Sequence, residues 1–248
     1  MRARRVALIS DVHGNADALA AVLLEIEREQ PDVIVHCGDL TWGPLPAETA
    51  GLLDGLGCLC LRGNADRAVE EAFQRLRNAT GAVAPRERWL VERHDPELRL
   101  WLAALPESVE LTVEGLGDVL CCHGSPRSDE ELVTAETPEA RLAAAVAGVS
   151  VDVVVSGHTH VSFVRACLGR TFVNPGSVGM PYEGAPGAYW ALLGPGIEHR
   201  RTEYHLEQTE RRYRESGDPL AEEMVEILRR PPTPAEVIAH AESREFSG

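Results

Sequence analysis

The sequence lacks any long apolar run, and no segment approaches the ~20 consecutive apolar residues that span a bilayer. The apolar stretch within the basic start, MRARRVALIS, is too short for the core of a secretory signal and continues directly into a polar motif. Both absences favour a chain without a membrane segment or a signal peptide. We therefore expect a cytoplasmic protein.

Cysteine pairs with the spacing of a metal-binding motif are also missing. No two cysteines have the C-x-x-C spacing of a zinc ribbon, and the C-x-C pair at 58 and 60 is a weak signal. Most of them lie in apolar runs such as VIVHCGD and DVLCCHG, where cysteine is usually a small buried hydrophobic residue. Reduced thiols are the simpler interpretation, at Cys37, Cys58, Cys60, Cys121, Cys122 and Cys167.

Positive charge is scarce. The chain has 24 Lys plus Arg against 39 Asp plus Glu, which gives a net charge of −15. Such a chain has no broad basic surface for nucleic acid or an anionic membrane, so we expect neither as a partner. A small phosphorylated or nucleotide substrate is still allowed, because bound divalent cations can reverse the sign of the local field.

What is present is the pattern of an α/β protein. The 248 residues, with 44% hydrophobic residues, suit one large α/β domain or a domain with an appendage. Strand patterns alternate with helical patterns at the start, which predicts a largely parallel sheet. The predicted strands are 6–10, 32–37, 58–61, 109–113, 118–122, 151–156, 163–168, 171–173, 188–193 and 198–204, and the first helices are 15–29 and 47–56.

Two further regions have helical character. The first is an insertion at about 66–106, with helices predicted over 67–77 and 87–105. The second is a tail over 205–248, which is rich in charge and interrupted by Gly217 and Pro231-Pro232. We expect the tail to pack on the main domain, residues 1–204, or on a partner subunit, so a homo-oligomer is one of the predictions.

Five polar motifs follow the predicted strands, each at the point where a strand ends. In an open α/β sheet these ends converge on the crevice where ligands bind. The D-x-H and H-x-H spacings place alternate side chains on one face of an extended segment. We therefore expect the five motifs to meet; they are Asp11-x-His13, Gly38-Asp39, Gly63-Asn64, His123-Gly124 and Gly157-His158-x-His160.

Each motif alone has an ordinary explanation: a strand-end histidine is usually a core or capping residue, Gly-Asp is a common turn, and Asn64 can cap a helix. All five in order make coincidence a poor explanation. Two carboxylates, four imidazoles and one amide suit divalent Mn, Fe, Zn, Ni or Co better than calcium or an iron–sulfur cluster. Seven ligands suit two cations about 3.5–4 Å apart that share a carboxylate.

The blocks SDVHGN, CGDL, RGNAD, CHGS and SGHTH resemble those of the calcineurin-like metallophosphoesterases, over roughly residues 6–203. Their spacing and the NPGSVG segment look most like the small bacterial and archaeal branch of phosphodiesterases and diadenosine-tetraphosphatase-like proteins. The resemblance implies a four-layer αββα sandwich in which two sheets are flanked by helices. It also implies a hydrolase that cleaves phosphodiester, phosphomonoester or phosphoanhydride bonds.

The resemblance further implies how the ligands are divided. Asp11, His13 and His160 would hold the first cation. Asn64, His123 and His158 would hold the second, and Asp39 would bridge the two. A hydroxide between the cations would then attack phosphorus without a covalent enzyme intermediate.

The chain departs from the family at Ala65. Many relatives read G-N-H-[DE], and their histidine is thought to protonate the leaving oxygen, which alanine cannot do. Either another group is the acid, or the leaving group needs none, as in aryl esters, diesters and phosphoanhydrides. We assign Asp66 to the catalytic set with Asp39 and Asn64, as a residue that orients a ligand histidine. A first-turn helix acid is the alternative for Asp66.

The remaining predictions concern the surroundings of the site. Asn15 and Arg127 are predicted to contact phosphate oxygens, Arg127 through a bidentate fork, with a solvated loop arginine as the alternative. His94, in an insertion that could cover the site, is expected to be exposed. Residues 174–178 are expected to form a tight turn near the cations. The alternative to an enzyme is a non-catalytic interaction scaffold; such relatives have lost ligands, whereas this chain keeps the whole set.

Overall fold

A computed structural model describes residues 1–244. Within them the strands are β1 (Arg2–Ala3), β2 (Val6–Ile9), β3 (Val33–His36), β4 (Leu59–Cys60), β5 (Ser108–Val113), β6 (Gly117–Cys122), β7 (Val153–Val155), β8 (Phe163–Cys167), β9 (Arg170–Asn174), β10 (Ala188–Leu193) and β11 (Ile197–Thr202). The helices are α1 (Ala16–Glu29), α2 (Pro46–Gly51), α3 (Asn64–Asn78), α4 (Pro85–Arg93), α5 (Pro96–Ala104), α6 (Glu139–Ala145), α7 (Leu206–Ser216), α8 (Ala221–Arg229) and α9 (Pro234–Glu242). None of these helices is both long enough and apolar enough to cross a membrane.

The strands form two sheets. One has six strands in the order β1-β5-β6-β7-β9-β8, and the other has five in the order β11-β10-β2-β3-β4. The pairs β2–β3 and β3–β4 are parallel in the smaller sheet, as are β6–β7 and β7–β9 in the larger sheet. Each sheet therefore has parallel strands at its centre, as the alternating pattern predicts.

Alternation along the strands produces four layers. In β2, Val6 and Leu8 pack in the core between the two sheets. Their neighbours Ala7 and Ile9 pack with the apolar face of α1 on the other side. Helix α6 covers the outer face of the six-stranded sheet, where Leu142 packs against β7, β8 and β9. This arrangement confirms the predicted α/β fold, an αββα sandwich.

The helical insertion differs from the prediction in one respect. Instead of one helix over 87–105 there are two, α4 and α5, because Pro96 disfavours a helical conformation at the residue before it. Asp95 is accordingly extended (φ −64°, ψ 166°), and its side chain accepts the N–H of Leu98 at 2.8 Å, which caps α5.

The C-terminal helices pack on the sandwich. On α7 and α8 the buried side chains of Tyr213, Met224, Val225 and Leu228 form a cluster with the partly buried Leu206, Leu45 and Met180. We refer to this group as the tail cluster. Asp218, in the connection between α7 and α8, also pairs with Arg86 of α4 at 2.9 Å. The predicted domain limits, 1–204 and 205–248, stay predictions, and residues 245–248 of the predicted tail lie outside the described residues.

Replacing Leu8 by alanine is expected to lower the free energy of unfolding by about 2–5 kcal/mol, because it leaves a cavity between the sheets. Leu24→Ala on α1 is the matched control, since the Leu24 side chain is 59% exposed and Leu8 is fully buried. Urea denaturation of both variants measures the difference. Equal losses in the two variants would contradict the assigned core.

Candidate metal centre

The five motifs do meet at the ends of parallel strands. Asp11 and His13 follow β2, Asp39 follows β3, and Asn64 begins α3 directly after β4. His123 follows β6, and the pair His158 and His160 follows β7. The first three strands belong to one sheet and the last two to the other. The site is therefore built from both sheets.

The backbone at this site is strained. Asp11, His13, Asp39, His158 and His160 all have positive φ, between 48° and 66°. Only eight non-glycine residues of the described chain have positive φ, so more than half of them lie here. A left-handed conformation at such residues costs on the order of 1–3 kcal/mol each and marks functional positions. This backbone conformation directs the side chains that follow each strand toward one common space.

The first group of ligands consists of Asp11, His13 and His160, whose potential ligand atoms lie within 4.8 Å of one another. The Nε2 atoms of His13 and His160 are 3.1 Å apart. Asp11 Oδ1 lies 3.2 Å from His160 Nε2 and is buried without a hydrogen-bond partner. This oxygen is therefore available to a cation between the three side chains.

The second group consists of Asp39, His123 and His158. Asp39 Oδ2 lies 3.4 Å from His123 Nε2 and 3.7 Å from Nε2 of His13 in the first group. The Asp39 carboxylate thus faces both groups. Asn64 Oδ1 lies 2.9 Å from His123 Nε2, at the edge of the second group.

Backbone carbonyls determine how three of the imidazoles point. Nδ1 of His13, His123 and His160 lies 3.3, 2.8 and 2.7 Å from the carbonyl oxygens of Trp42, Cys37 and Met180, respectively. A carbonyl only accepts, so each Nδ1 carries the proton and donates it. In the neutral rings, Nε2 then carries a lone pair that points into the site. Such partners are typical of metal-binding histidines.

The two carboxylates of the site are ionised. Burial alone would raise their pKa values, but the neighbouring histidines outweigh burial and hold the pKa of Asp11 and of Asp39 well below the usual range. Burial lowers the pKa of His13 and of His158 to about 4. For His123 burial acts in the same direction, but Asp39 and Asp11 overcome it and raise its pKa to about 10. The buried site therefore concentrates negative charge that a cation can neutralise.

Asp66 does not orient a histidine, contrary to the prediction. Its buried carboxylate accepts the backbone N–H groups of Asp39, Leu40 and Gly63 at 2.8, 3.0 and 2.9 Å. Burial and the Asp39 charge raise the pKa of Asp66 to about 7. Asp66 thus holds the backbone of the loop that carries Asp39. Asp66 is the third residue of α3 and lies in its first turn, so the helix-acid alternative describes its position.

The two predicted phosphate contacts have other partners within the protein. Asn15 is fully buried and caps α1: its Oδ1 accepts the Ala18 N–H at 3.1 Å, and its Nδ2 donates to Gly179 O and Tyr204 Oη. The structure therefore gives Asn15 a structural role instead. Arg127 forms the predicted bidentate fork, but with the Glu131 carboxylate at 2.8 and 2.6 Å.

His94 is buried, and the prediction that it is exposed is wrong. Its Nδ1 donates to Leu90 O at 2.7 Å, and its Nε2 lies 2.9 Å from Thr41 Oγ1. His94 caps the end of α4 just before Pro96, and its side chain reaches Thr41 in the loop that follows Asp39. A histidine at the end of a charged helix gives no signal of such burial in the sequence.

Residues not singled out from the sequence also support the first group. Ser10 Oγ donates to Asp11 Oδ2 at 2.5 Å, and the Tyr182 ring stacks on His160 with centroids 4.6 Å apart. The predicted turn at 174–178 lies beside them: Ser177 Oγ donates to the Asp11 carbonyl at 2.7 Å. The position of Ser10 next to the D-x-H motif could have indicated its role from the sequence. Nothing in the sequence around Tyr182 indicates its contact with His160.

Fold and site together define a class: an αββα sandwich with two His/Asp groups that can hold divalent cations between its sheets. Residues 5–193 match the calcineurin-like phosphoesterase superfamily domain, and the chain belongs to this family.

Several relatives cover most of the chain. An uncharacterized protein of Methanocaldococcus jannaschii is 28% identical over 226 residues, which cover 82% of this chain and 89% of the relative. The crystal structure of a metallophosphoesterase from Sphaerobacter thermophilus is 27% identical, with a TM-score of 0.69, covering 90% of this chain and 98% of that one. A hypothetical protein from Pyrococcus horikoshii, 19% identical with a TM-score of 0.77, shares the fold over 94% of this chain and all of its own (100%).

Gly63→Ala is expected to displace the Asp39 carboxylate, because a Cβ there would lie 2.1 Å from Asp39 Oδ1. The φ of Gly63 is −96°, so the backbone accepts alanine, and the opposition comes from Asp39, whose backbone N would also lie 2.5 Å from the Cβ. The control is Gly51→Ala in α2, where a Cβ meets nothing within 4 Å. We expect the first variant alone to bind less than the wild-type amount of Mn²⁺ after equilibrium dialysis. Wild-type Mn²⁺ content in Gly63→Ala would refute the close packing of Gly63 on Asp39.

Proposed function

We propose that this member of the calcineurin-like phosphoesterase family is a hydrolase of phosphoric ester bonds that works with two divalent cations. Asp11, His13 and His160 would hold one cation. Asn64, His123 and His158 would hold the other. Asp39 would contact both, which is supported by its position 3.4 and 3.7 Å from histidine nitrogens of the two groups.

One observation carries the proposal: the Nε2 atoms of His13 and His160 face each other at 3.1 Å beside the unpartnered Oδ1 of Asp11. Since Nδ1 of each ring donates to a carbonyl, the neutral rings direct two lone pairs and a carboxylate oxygen at one point. These groups repel one another unless a positive charge lies between them. The donor set of imidazole and carboxylate fits Mn, Fe, Zn, Ni or Co.

Bound cations at these positions would polarise phosphate oxygens and lower the pKa of a water molecule. The protein's own residues supply the rest. Carbonyls of Trp42, Cys37 and Met180 keep the imidazoles oriented, and Asp66 keeps the Asp39 backbone in place. Asn64 and His158 are half-buried, whereas Asp11, His13 and His160 are buried. A substrate would therefore approach from the side of the second group.

The substrates we propose have leaving groups that need no proton donor. Ala65 is 8% exposed, and its N–H donates to Asp39 Oδ1 at 2.9 Å, so this position contributes a backbone contact but no acid. Aryl esters, phosphodiesters and phosphoanhydrides fit this site better than alkyl monoesters. Small phosphorylated compounds or nucleotides are the corresponding partners.

The scaffold alternative explains less. A protein that only presents a surface gains nothing from five strained residues whose side chains meet in a buried space. Their cost is offset if the side chains bind cations. We also propose a cytoplasmic location, which is supported by six free cysteines of which five are buried. Self-association through the C-terminal helices stays a prediction.

The test is hydrolysis of a chromogenic phosphodiester and of the matching monoester by chelated protein, with and without added Mn²⁺. We expect turnover only with Mn²⁺ and a preference for the diester. Two bound cations without turnover on either ester would indicate a narrow substrate such as a dinucleotide polyphosphate. If the protein bound no cation and hydrolysed neither ester, the enzyme hypothesis would be wrong and the scaffold alternative would be favoured.

Asp39→Ala is expected to lose both cations, because this carboxylate faces both groups. The loss of affinity should reach at least about 10²-fold. That is the upper end of the loss caused by removing a residue that only hydrogen-bonds to a metal ligand. Asp54→Ala, which replaces an exposed aspartate, is the control and should keep both cations. Metal analysis after dialysis gives the stoichiometry. Retention of two cations in Asp39→Ala would show that the carboxylate is not shared.

A further inference from the structure

The two carbonyls that orient the first group lie next to residues of the tail cluster. Met180 accepts the Nδ1 proton of His160 through its carbonyl at 2.7 Å, and its side chain packs in that cluster. Trp42 accepts the corresponding proton of His13, and Leu45, three residues further along the same loop, packs there as well. The C-terminal helices therefore pack against both loops whose carbonyls orient the imidazoles of His13 and His160.

Helix α7 also binds the segment that follows His13. Thr209 Oγ1 donates to Asp17 Oδ2 at 3.0 Å, in the first turn of α1. Arg212 pairs with Asp17 of α1 and with Glu48 of α2, the helix that follows the Trp42 loop, and so links α7 to both helices. Tyr204, just before α7, accepts a hydrogen bond from Asn15 Nδ2 at 3.3 Å.

The connection between α8 and α9 adds a third contact. The Gly184 N–H donates to Pro232 O at 2.9 Å, which secures the loop that runs from Met180 through Tyr182. Tyr182 is the residue whose ring stacks on His160. Residues after 203 thus contact both the Trp42 loop and the Met180 loop, which orient the histidines of the first group.

The histidines of the second group have no such support, although Asp39 lies in the loop that carries Trp42 and Leu45. His123 is oriented by Cys37 O, and the Asp39 backbone by Asp66. Asn64 lies at the start of α3. Across residues 1–244, no hydrogen bond of Asp39, His123 or His158 reaches the C-terminal helices. The two groups therefore differ in what holds them.

We propose that the C-terminal helices are a positioning element for the first cation, acting through the Trp42 and Met180 carbonyls. The inference rests on the proposed function, because it concerns one of the two cations named there. Loosening the tail cluster lets the rings of His13 and His160 turn. The affinity for the first cation then falls, by about 10–100-fold as for other outer partners of metal ligands, while that for the second is kept.

Tyr213 offers a matched pair of variants. It is fully buried in the tail cluster, and its hydroxyl has no hydrogen-bond partner among the described residues. Tyr213→Ala removes a ring of the cluster against which Leu45 and Met180 pack, whereas Tyr213→Phe keeps it. We expect the alanine variant to lose the first cation and the phenylalanine variant to behave as the wild type. Arg212→Ala, a milder change at the surface of α7, replaces Tyr213→Ala if that variant does not fold.

A second control separates positioning from general instability. Leu142→Ala removes a fully buried side chain of α6, on the outer face of the six-stranded sheet. It is expected to lower the melting temperature to a similar extent as Tyr213→Ala, because both open a cavity in an apolar cluster. Both cations should remain bound at wild-type affinity in Leu142→Ala.

The readout is electron paramagnetic resonance of bound Mn²⁺ during titration of the full chain. Two neighbouring ions give a coupled spectrum, and a single ion gives the six-line spectrum of isolated Mn²⁺. At the Mn²⁺ concentration that just fills both sites of the wild type, Tyr213→Ala should give the single-ion spectrum, matching that of His160→Ala and not that of Asn64→Ala, which marks loss of the second site.

The outcomes are distinct. If the wild type binds no Mn²⁺, the proposed function itself fails. If the wild type binds two ions but Tyr213→Ala keeps both, or weakens both equally, the positioning role fails and the function stands. Equal weakening in Leu142→Ala would likewise overturn it, because the effect would then follow stability alone.

Discussion

The structure depends on an electrostatic constraint at the point where strands of both sheets end. Two ionised carboxylates and four imidazoles are held in a buried space, and the nitrogen lone pairs of His13 and His160 face each other at 3.1 Å. Like partial charges at this distance repel strongly in a poorly solvated environment. The surrounding backbone maintains this arrangement against left-handed strain at five positions. A cation bound between these atoms would turn the repulsion into attraction, so the groups that destabilise the empty site are the ones that would bind the cation.

Much of the fold and the ligand set could be predicted from the sequence because both leave local patterns. Buried parallel strands are short apolar runs, and each ligand adjoins such a run, as Asp39 does after β3. The surroundings leave weaker patterns. The partners of Asp66 are backbone N–H groups of three separate residues, which have no sequence signature. Arg127 fits a phosphate as well as it fits Glu131, and only the three-dimensional arrangement shows which it meets.

The errors have physical causes of the same kind. A helical pattern that spans Pro96 was predicted as one helix because the flanking residues favour helix, but the ring of a proline acts on the residue before it. His94, just before that break, is buried, although its place at the end of a charged helix predicts an exposed side chain. Asn15 carries the groups that bind phosphate, yet the helix that begins after it uses its oxygen as a cap. The helix N-terminus thus competes with phosphate for the Asn15 side chain, and the helix determines its role.

Each group of ligands takes members from both sheets: Asp11 and His13 with His160, and Asp39 with His123 and His158. A cation bound to either group would therefore cross-link two layers that otherwise adhere through apolar contacts and a few hydrogen bonds, such as His123 Nδ1 to Cys37 O. Mass action adds about 2.7 kcal/mol of stability for one site when the free ion is at 100 times its dissociation constant. The supply of transition metal in the cell would then govern the lifetime of the folded chain as well as its activity.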